Sequence, residues 1–237
     1  VNTAQDLIVA YGNRVLVASA SGDKVVSFDA LTGAYLSDFI PAGSGGLNYP
    51  TGLVIAPDGH LLVCSRDTGS VLRYHGTTGA FLGAFLSAGS GGLTNPFGIT
   101  FGPNGNLFVS SGGSQVLEFN GSSGTFVRVF VSAGDNGGLA AARGMLFKPD
   151  GNLLVASYLT DAILQFDGAT RAFLNKWNSG GTLGALYLDG PWGLRLGPTG
   201  NVFATRDVSK FVIGKNDHDH DDGEPLHVTS ARIMEFD

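Results

Sequence analysis

Residues 51–96, TGLVIAPDGHLLVCSRDTGSVLRYHGTTGAFLGAFLSAGSGGLTNP, contain four short runs rich in Val, Leu, Ile, Phe and Tyr. The runs GLVIA, LLVCS, VLRYH and FLGAF are separated by the turn sequences PDG, RDTGS and GTTG. Glycines such as Gly59 and Gly79 supply the positive φ angles that tight hairpins require. The stretch therefore predicts one small sheet of four antiparallel strands.

The same unit recurs along the chain at a nearly constant spacing. Gly52, Gly98 and Gly144 are 46 residues apart, and Gly193 follows 49 residues later. The segment that starts near Leu7 is a further copy. Five copies of a four-stranded repeat of this length predict an all-β fold, a β-propeller whose blades are the copies. Helical repeats do not fit, because the chain has almost no apolar pattern with a period of 3.6 residues.

The repeat predicts a single domain over residues 1–237, with blades at about 6–50, 51–96, 97–142, 143–190 and 191–237. The last blade is atypical, because about 21 residues are inserted at about 208–228. The final run ARIMEFD matches a third strand, so a fourth strand is missing from this copy. Either the natural chain continues past Asp237, or closure uses another pairing in which KFVIG is a strand and ARIMEFD the next.

Composition narrows the classes of function. Charged residues make up 14% of the chain and the net charge is −6, with no basic stripe, so a nucleic-acid partner is not expected. No apolar run is long enough for membrane insertion, and we expect a monomer. Cys64 is the one cysteine, so no internal disulfide can form, and the strand alternation predicts a buried thiol. A chain that opens at Val1 is typical of a processed or trimmed product, which indicates a bacterial-type extracellular or periplasmic protein.

Two patterns carry a resemblance to a known group. The first is seen in NYPTGLVIAPDGHLLV, TNPFGITFGPNGNLFV, RGMLFKPDGNLLV and GPWGLRLGPTGNVF, and the second in FDALTGAYLSDF, YHGTTGAFLGAF, FNGSSGTFVRVF and FDGATRAFLNKW. Together they resemble the NHL-type propellers, a group that includes virginiamycin B lyase-like and peptidyl-hydroxyglycine lyase-like proteins. The resemblance implies a propeller fold, commonly of six blades. It also implies, for the lyases, axial histidines with metals in some members, although no histidine here recurs with the repeat.

The ligand site of a propeller is expected on one face. Loops that lead into the first strands and loops that join second to third strands share that face, where they can converge polar groups around the axis. The candidates are Asn95, Arg143 and Trp192 near the starts of first strands, and Arg66, Asp67, Tyr158, Arg206 and Asp207 in the second-to-third-strand loops. The Arg-Asp pair recurs at matching positions in CSRDTG and ATRDVS. It is either an exposed ion pair or a contact for an anion or carbohydrate.

The inserted segment 216–227, NDHDHDDGEPLH, has an unusual density of carboxylates and imidazoles. Its candidate metal ligands are Asp217, His218, Asp219, His220, Asp221, Asp222, Glu224 and His227. Oxygen ligands at this spacing suit Ca²⁺, and imidazole with carboxylate suits Zn²⁺, Mn²⁺ or Cu²⁺. The alternative is a solvated acidic loop without a metal.

Two functions from different classes follow. The favoured one is a binding module whose loop face holds a small molecule, a glycan or a protein, with a divalent ion ordering the acidic segment. The other is a metal-dependent lyase or hydrolase, in which a metal held by that segment polarises a carbonyl or activates water, and Arg143 or Arg206 holds an anionic substrate.

Overall fold

The computed structural model of the protein describes residues 1–134, 136–178, 188, 190–197, 199–206 and 233–236. Its strands form five antiparallel sheets, which we number as blades 1 to 5 in chain order. Blade 1 contains β1 (Ala4–Ala10), β2 (Arg14–Ser19), β3 (Lys24–Asp29) and β4 (Tyr35–Ile40), and blade 2 contains β5 (Pro50–Ile55), β6 (Leu61–Ser65), β7 (Ser70–Tyr74) and β8 (Phe81–Leu86).

Blades 3 and 4 repeat this order. Blade 3 contains β9 (Ile99–Phe101), β10 (Leu107–Ser111), β11 (Gln115–Phe119) and β12 (Phe126–Val131), and blade 4 contains β13 (Ala142–Phe147), β14 (Leu153–Ser157), β15 (Ala162–Phe166) and β16 (Phe173–Asn178). Blade 5 contains β17 (Pro191–Leu196), β18 (Val202–Arg206) and β19 (Ile233–Phe236). The predicted all-β propeller with five copies and an atypical last copy is confirmed.

The turn between the third and fourth strands shows why the FDxxTG pattern recurs. Asp29 Oδ1 accepts hydrogen bonds from the backbone N–H groups of Leu31 and Thr32, at 3.0 and 2.8 Å. Asn120 and Asp167 make the same pair of bonds in blades 3 and 4. In these three blades a short polar side chain thus closes the hairpin locally, which is the mechanism that makes Asp and Asn frequent at turns.

In blades 1 to 4, a buried serine at the end of the second strand fixes the loop that leads into the first strand. Ser65 Oγ accepts the N–H of Asn48 at 3.0 Å, and Ser111 and Ser157 accept the N–H of Thr94 and Ala140 at the same distance. These bonds bring the two kinds of loop together on one face of the disc. The expectation that these loops share a face is therefore confirmed.

Neighbouring blades are held together by apolar clusters between their faces. Separate clusters join blades 1 and 2, blades 2 and 3, blades 3 and 4, and blades 4 and 5. A leucine from the loop that follows each of the first three blades, at positions 47, 93 and 139, is at most 3% exposed and enters the cluster. Cys64 lies in the cluster between blades 2 and 3, fully buried as predicted, and burial raises the pKa of its thiol.

Blade 5 contains three strands among the described residues. β19 pairs with β18, with Val202 opposite Phe236 and Thr205 opposite Ile233, so ARIMEFD supplies the third strand as its sequence match predicted. The alternative strand KFVIG, residues 210–214, lies outside the described residues. Within the described part of the chain, no helix is long and apolar enough to cross a membrane.

Candidate ligand site at the axial mouth

Five residues, one from each blade, surround the propeller axis. Each is the second residue of the first strand, except in blade 3, where the equivalent residue lies two positions before β9. These residues are Gln5, Thr51, Phe97, Arg143 and Trp192, and all but Arg143 line one cavity together with residues from each of the five blades. The glycine that follows lets adjacent strands approach. A Cβ added at Gly98 would lie 2.1 Å from the carbonyl oxygen of Arg143, and one added at Gly52 would lie 2.4 Å from that of Phe97. The glycine of the repeat thereby sets the spacing of the inner strands.

Three aromatic rings surround the guanidinium of Arg143. Its Cζ atom lies 4.0 Å from the ring centroid of Phe97, 4.9 Å from that of Trp192 and 5.1 Å from that of Tyr158. The rings of Phe97 and Tyr158 also contact Trp192 edge to face, at centroid distances of 4.9 and 5.4 Å. Each cation–π contact stabilises by about 0.5 to 2 kcal/mol, depending on desolvation. We call this group the axial mouth.

The arrangement of the axial mouth suits recognition of an anion. A guanidinium carries its N–H donors in one plane, and that planar fork matches a carboxylate. The rings add apolar surface beside the charge, which is the usual composition of a small-molecule site. The interior of the axial cavity has a volume of only about 30 Å³. It has room for one or two water molecules, so a larger ligand has to bind at the mouth and not inside the channel.

The structure brings together three of the predicted ligand-face residues, Arg143, Tyr158 and Trp192. Arg66 and Asp67 form a separate surface pair, with 3.7 Å between Nε and Oδ1 and with side chains 38% and 44% exposed. A pair this exposed stabilises by about 0 to 1 kcal/mol. The guanidinium of Arg66 also stacks on the ring of Tyr49 at 4.6 Å.

Three further candidates fall in different places. Asn95 has a φ of 42° and lies in the loop that leads into blade 3, four residues before β9. Arg206 is the last residue of β18, and its side chain lies outside the description, as does Asp207.

The predicted match between the two Arg-Asp pairs is wrong by one position. Pro50 lies opposite Ser65 in blade 2, and Pro191 lies opposite Arg206 in blade 5. Arg206 is therefore equivalent to Ser65, the buried serine that fixes the loop, and not to Arg66. The dipeptides look alike, but the turn glycine is six residues before Arg206 and seven before Arg66.

Asp6 is an axial residue that the sequence analysis missed. It occupies the position that Gly52, Gly98, Gly144 and Gly193 hold in the other blades. Its Oδ2 accepts the N–H of Leu53 in blade 2 at 2.9 Å, and its Oδ1 accepts a bond from Arg195 in blade 5 at 2.5 Å. One carboxylate thus links three blades. The sequence could have identified Asp6, because the first copy is the one copy of the repeat without glycine at that position.

Burial raises the pKa of Asp6, and the positive charge of Arg195 and the N–H groups of Leu53 and Leu7 offset only part of that effect. The folded state therefore binds this proton more tightly than the unfolded chain does. The resulting stabilisation is complete below the unfolded pKa, near 4, and is lost as the pH rises through the folded pKa. A carboxyl group with a raised pKa beside an axial cavity is a feature of many functional sites.

Asp6→Asn is expected to remove this pH dependence, because the amide oxygen still accepts the N–H of Leu53 but carries no charge. The free energy of unfolding of the parent protein should fall relative to that of the variant between pH 4 and pH 7. Urea titrations of both proteins across this range give the difference directly. Parallel profiles, or a parent protein that gains stability relative to the variant, would contradict the raised pKa.

The predicted metal segment, residues 216–227, lies outside the described residues. Among the residues that are described, no group of three or more His, Cys, Asp or Glu side chains is arranged to hold a metal ion.

Comparison with known proteins finds likeness in structure but not in sequence. No protein-family model matches the chain, and no curated protein matches it. A solved structure provisionally assigned as a gluconolactonase superposes with a TM-score of 0.68 at 17% identity, over 86% of this chain and 71% of that one. Virginiamycin B lyase from Staphylococcus aureus superposes with a TM-score of 0.61 at 15% identity, over 98% of this chain and 69% of that one. A chain of a nidogen–laminin complex superposes with a TM-score of 0.65 at 16% identity, over 86% of this chain and 72% of that one. At this identity the likeness shows the fold, and the chain is a β-propeller similar to those in these structures.

Proposed function

We propose that the protein is a ligand-binding propeller whose axial mouth binds a carboxylate attached to a sugar or other small ring. The observation that carries the proposal is the enclosure of the Arg143 guanidinium by Phe97, Tyr158 and Trp192, at 4.0 to 5.1 Å from their ring centroids. The guanidinium would pair with the carboxylate, and the partly exposed rings of Tyr158 and Trp192 would cover the apolar face of the ligand. This is the glycan or small-molecule form of the loop-face partner expected from the sequence.

The ligand side of the proposal is tested with trigalacturonic acid and its methyl ester, titrated calorimetrically into the protein. The two probes share sugar rings but differ in charge. The acid is expected to bind at least about tenfold more tightly than the ester, since a hydrogen-bonded charge pair contributes about 1.5 to 3 kcal/mol. Equal affinities, or no heat of binding from the acid, would contradict a carboxylate site.

A second candidate is a metal-dependent lyase or hydrolase. Two observations favour it: solved structures described as a lyase and a gluconolactonase share the fold, and the partly buried carboxyl group of Asp6 with its raised pKa lies beside the axial cavity. The metal would be Ca²⁺, Zn²⁺, Mn²⁺ or Cu²⁺, held by the carboxylates and imidazoles of residues 217–227, which are of the right ligand types.

Metal analysis separates the two candidates. The purified protein is dialysed without chelator and its metal content measured by plasma mass spectrometry, beside the His218→Ala, His220→Ala, His227→Ala triple variant. If the segment is a catalytic metal site, near-stoichiometric Zn, Mn or Cu is expected in the parent protein and not in the variant. Calcium alone would indicate a structural ion, and an equal metal content in both proteins would remove this site.

A further inference from the structure

A cavity of about 450 Å³ lies between blades 3 and 4. Its walls include the turns that join the first strand to the second, at Asn104 in blade 3 and at Asp150 in blade 4, and the turn after the third strand of blade 4, at Asp167. In an antiparallel blade, turns of these two kinds lie at the opposite end of the strands from the loops of the axial mouth. The cavity is therefore on the other face of the disc and is separate from the axial mouth.

The blade 3 wall of this cavity is held in place by a buried carboxylate. Glu118, on β11, is only 1% exposed. Its Oε1 accepts hydrogen bonds from the side-chain amides of Asn104 at 3.0 Å and Asn106 at 2.7 Å. Its Oε2 lies 2.7 Å from Nε of Arg128, whose side chain is 47% exposed. Asn104 and Arg128 both line the cavity, so one buried acid fixes an amide and a guanidinium at its wall.

The repeat itself does not require an acid at this position. Strand pairing places Ser27 in blade 1 and Gln165 in blade 4 at the position of Glu118, and Ser27 is also fully buried. The position of Arg128 is held by Ser37 in blade 1. Burying a carboxylate is costly unless it is well paired, and blade 1 forms the same sheet with neutral residues. The acid of blade 3 is therefore better explained by the cavity wall that it orders than by the stability of the blade.

The blade 4 wall contributes two carboxylates. Asp150 Oδ1 accepts the backbone N–H of Asn152 at 2.9 Å, and Asp167 Oδ1 accepts those of Thr170 at 2.6 Å and Ala169 at 2.9 Å. These hydrogen bonds lower the pKa of both carboxyl groups, chiefly through Asn152 for Asp150 and through Thr170 for Asp167. Both groups are consequently ionised at neutral pH. This wall offers hydrogen-bond acceptors opposite the donors of the blade 3 wall.

The lining combines planar polar groups with an aromatic ring. Phe147 is partly exposed in the cavity, with its ring centroid 4.8 Å from that of the buried Phe108. Carboxylate, amide and guanidinium groups each present two adjacent hydrogen-bonding atoms, which match two neighbouring hydroxyl groups of a pyranose ring. Arg128 is paired with Glu118, and Asp150 with Lys148 at 3.0 Å, so most of the charge is compensated within the protein. The volume is within the range of small-molecule sites.

We propose that the cavity between blades 3 and 4 binds a neutral pyranose sugar, as a second site on the face opposite the axial mouth. Arg128 and Asn104 would donate hydrogen bonds to the sugar hydroxyls, and Asp167 would accept them. The ring of Phe147 would cover the apolar face formed by the C–H groups of the sugar. The carboxylates of the blade 4 wall would repel a uronate, so the two sites differ in the charge of their ligands. This inference does not depend on the ligand proposed for the axial mouth.

The test is saturation-transfer difference NMR on the 237-residue protein with the methyl β-glycosides of glucose, galactose, mannose and N-acetylglucosamine. Saturation transfer to at least one glycoside is expected, and its dissociation constant is then measured by titration. Asp167→Asn should raise that constant at least about tenfold, because a hydrogen bond to a charged acceptor becomes one to a neutral acceptor. The turn stays closed in this variant, since Asn120 makes the same pair of bonds in blade 3.

Arg128→Lys tests the opposite wall. The variant keeps a positive charge beside Glu118 but loses the planar pair of donors. A rise of at least about tenfold in the dissociation constant is expected here too. Circular dichroism spectra equal to that of the parent protein confirm that both variants are folded.

Asp29→Asn is the matched control, because it makes the same change at the equivalent turn of blade 1, which does not line the cavity. It should leave the dissociation constant unchanged, and saturating trigalacturonic acid should leave the glycoside signal unchanged. The proposal would be overturned by the absence of saturation transfer to all four glycosides, or by one dissociation constant shared by the parent protein, Asp167→Asn and Arg128→Lys. Displacement of the glycoside by trigalacturonic acid would overturn it as well, because the neutral sugar would then occupy the axial mouth.

Discussion

Gly98→Ala is expected to lower the free energy of unfolding by about 3 kcal/mol, at the upper end of the cost of overpacking a close-packed interior. The added methyl group would lie 2.1 Å from the carbonyl oxygen of Arg143 and 3.0 Å from its carbonyl carbon. These are backbone atoms, which cannot rotate away as the end of a side chain can. Either blade 4 moves outward or the strand bends, and both outcomes disturb the inner strands. Urea denaturation followed by far-UV circular dichroism measures the change.

Gly193→Ala is the matched control, because Gly193 holds the same position of the repeat. There, among the residues that the structure describes, the added methyl group meets only a side-chain oxygen, Oγ1 of Thr205, at 3.1 Å. We expect a loss below about 1 kcal/mol, typical of a substitution without a severe clash. Equal losses at the two glycines would show that the spacing of the inner strands does not depend on backbone approach at Gly98.

Arg143→Ala is expected to weaken binding of trigalacturonic acid by about 100-fold. The substitution removes the charged donor and leaves the carboxylate of the ligand beside three aromatic rings with no compensating partner. Loss of a charge-assisted hydrogen-bonded pair typically costs 2 kcal/mol or more, and about 2.7 kcal/mol corresponds to 100-fold. Arg143→Lys should fall between the two proteins, because a lysine keeps the charge but cannot make two parallel bonds. Isothermal titration calorimetry gives all three affinities.

Lys176→Ala controls for the loss of one positive charge, since Lys176 is exposed on β16 of blade 4. It should leave the affinity unchanged. A comparable loss in Lys176→Ala and Arg143→Ala would indicate that the ligand responds to net charge and not to the axial mouth.

The fold could be predicted from the sequence because each repeat is specified by interactions between residues that are close together in the chain. Turn glycines, the Asp and Asn side chains that close the hairpins, and the apolar strand runs all recur at one spacing, and each acts within a few residues of the chain. The partner of ARIMEFD could be predicted for the same reason. The closure of the ring could not be predicted, because it depends on contacts between residues almost 190 positions apart, such as Asp6 and Arg195.

The candidate site was only partly predictable. Arg143, Tyr158 and Trp192 were identified because the repeat places them on the loop face, but Phe97 resembles an ordinary core residue in sequence. Its place beside Arg143 follows from the meeting of two adjacent blades. Asp6 was missed although it replaces the first-strand glycine of the repeat, because only the four copies that have this glycine were compared at that position. Arg206 was wrongly aligned with Arg66 because the two Arg-Asp dipeptides were matched to each other. Counting from the preceding turn glycine of each blade aligns Arg206 with Ser65.

The central claim, that the axial mouth is the ligand site, is tested most directly by the two tryptophan indole N–H resonances in a nitrogen-edited NMR titration. The chain has two tryptophans: Trp192 contacts Arg143 at the axial mouth, and Trp177 packs against the cluster between blades 4 and 5. With trigalacturonic acid, we predict a saturable shift of the Trp192 resonance and none of the Trp177 resonance. Binding that leaves the Trp192 resonance unchanged would contradict the account and place the ligand elsewhere.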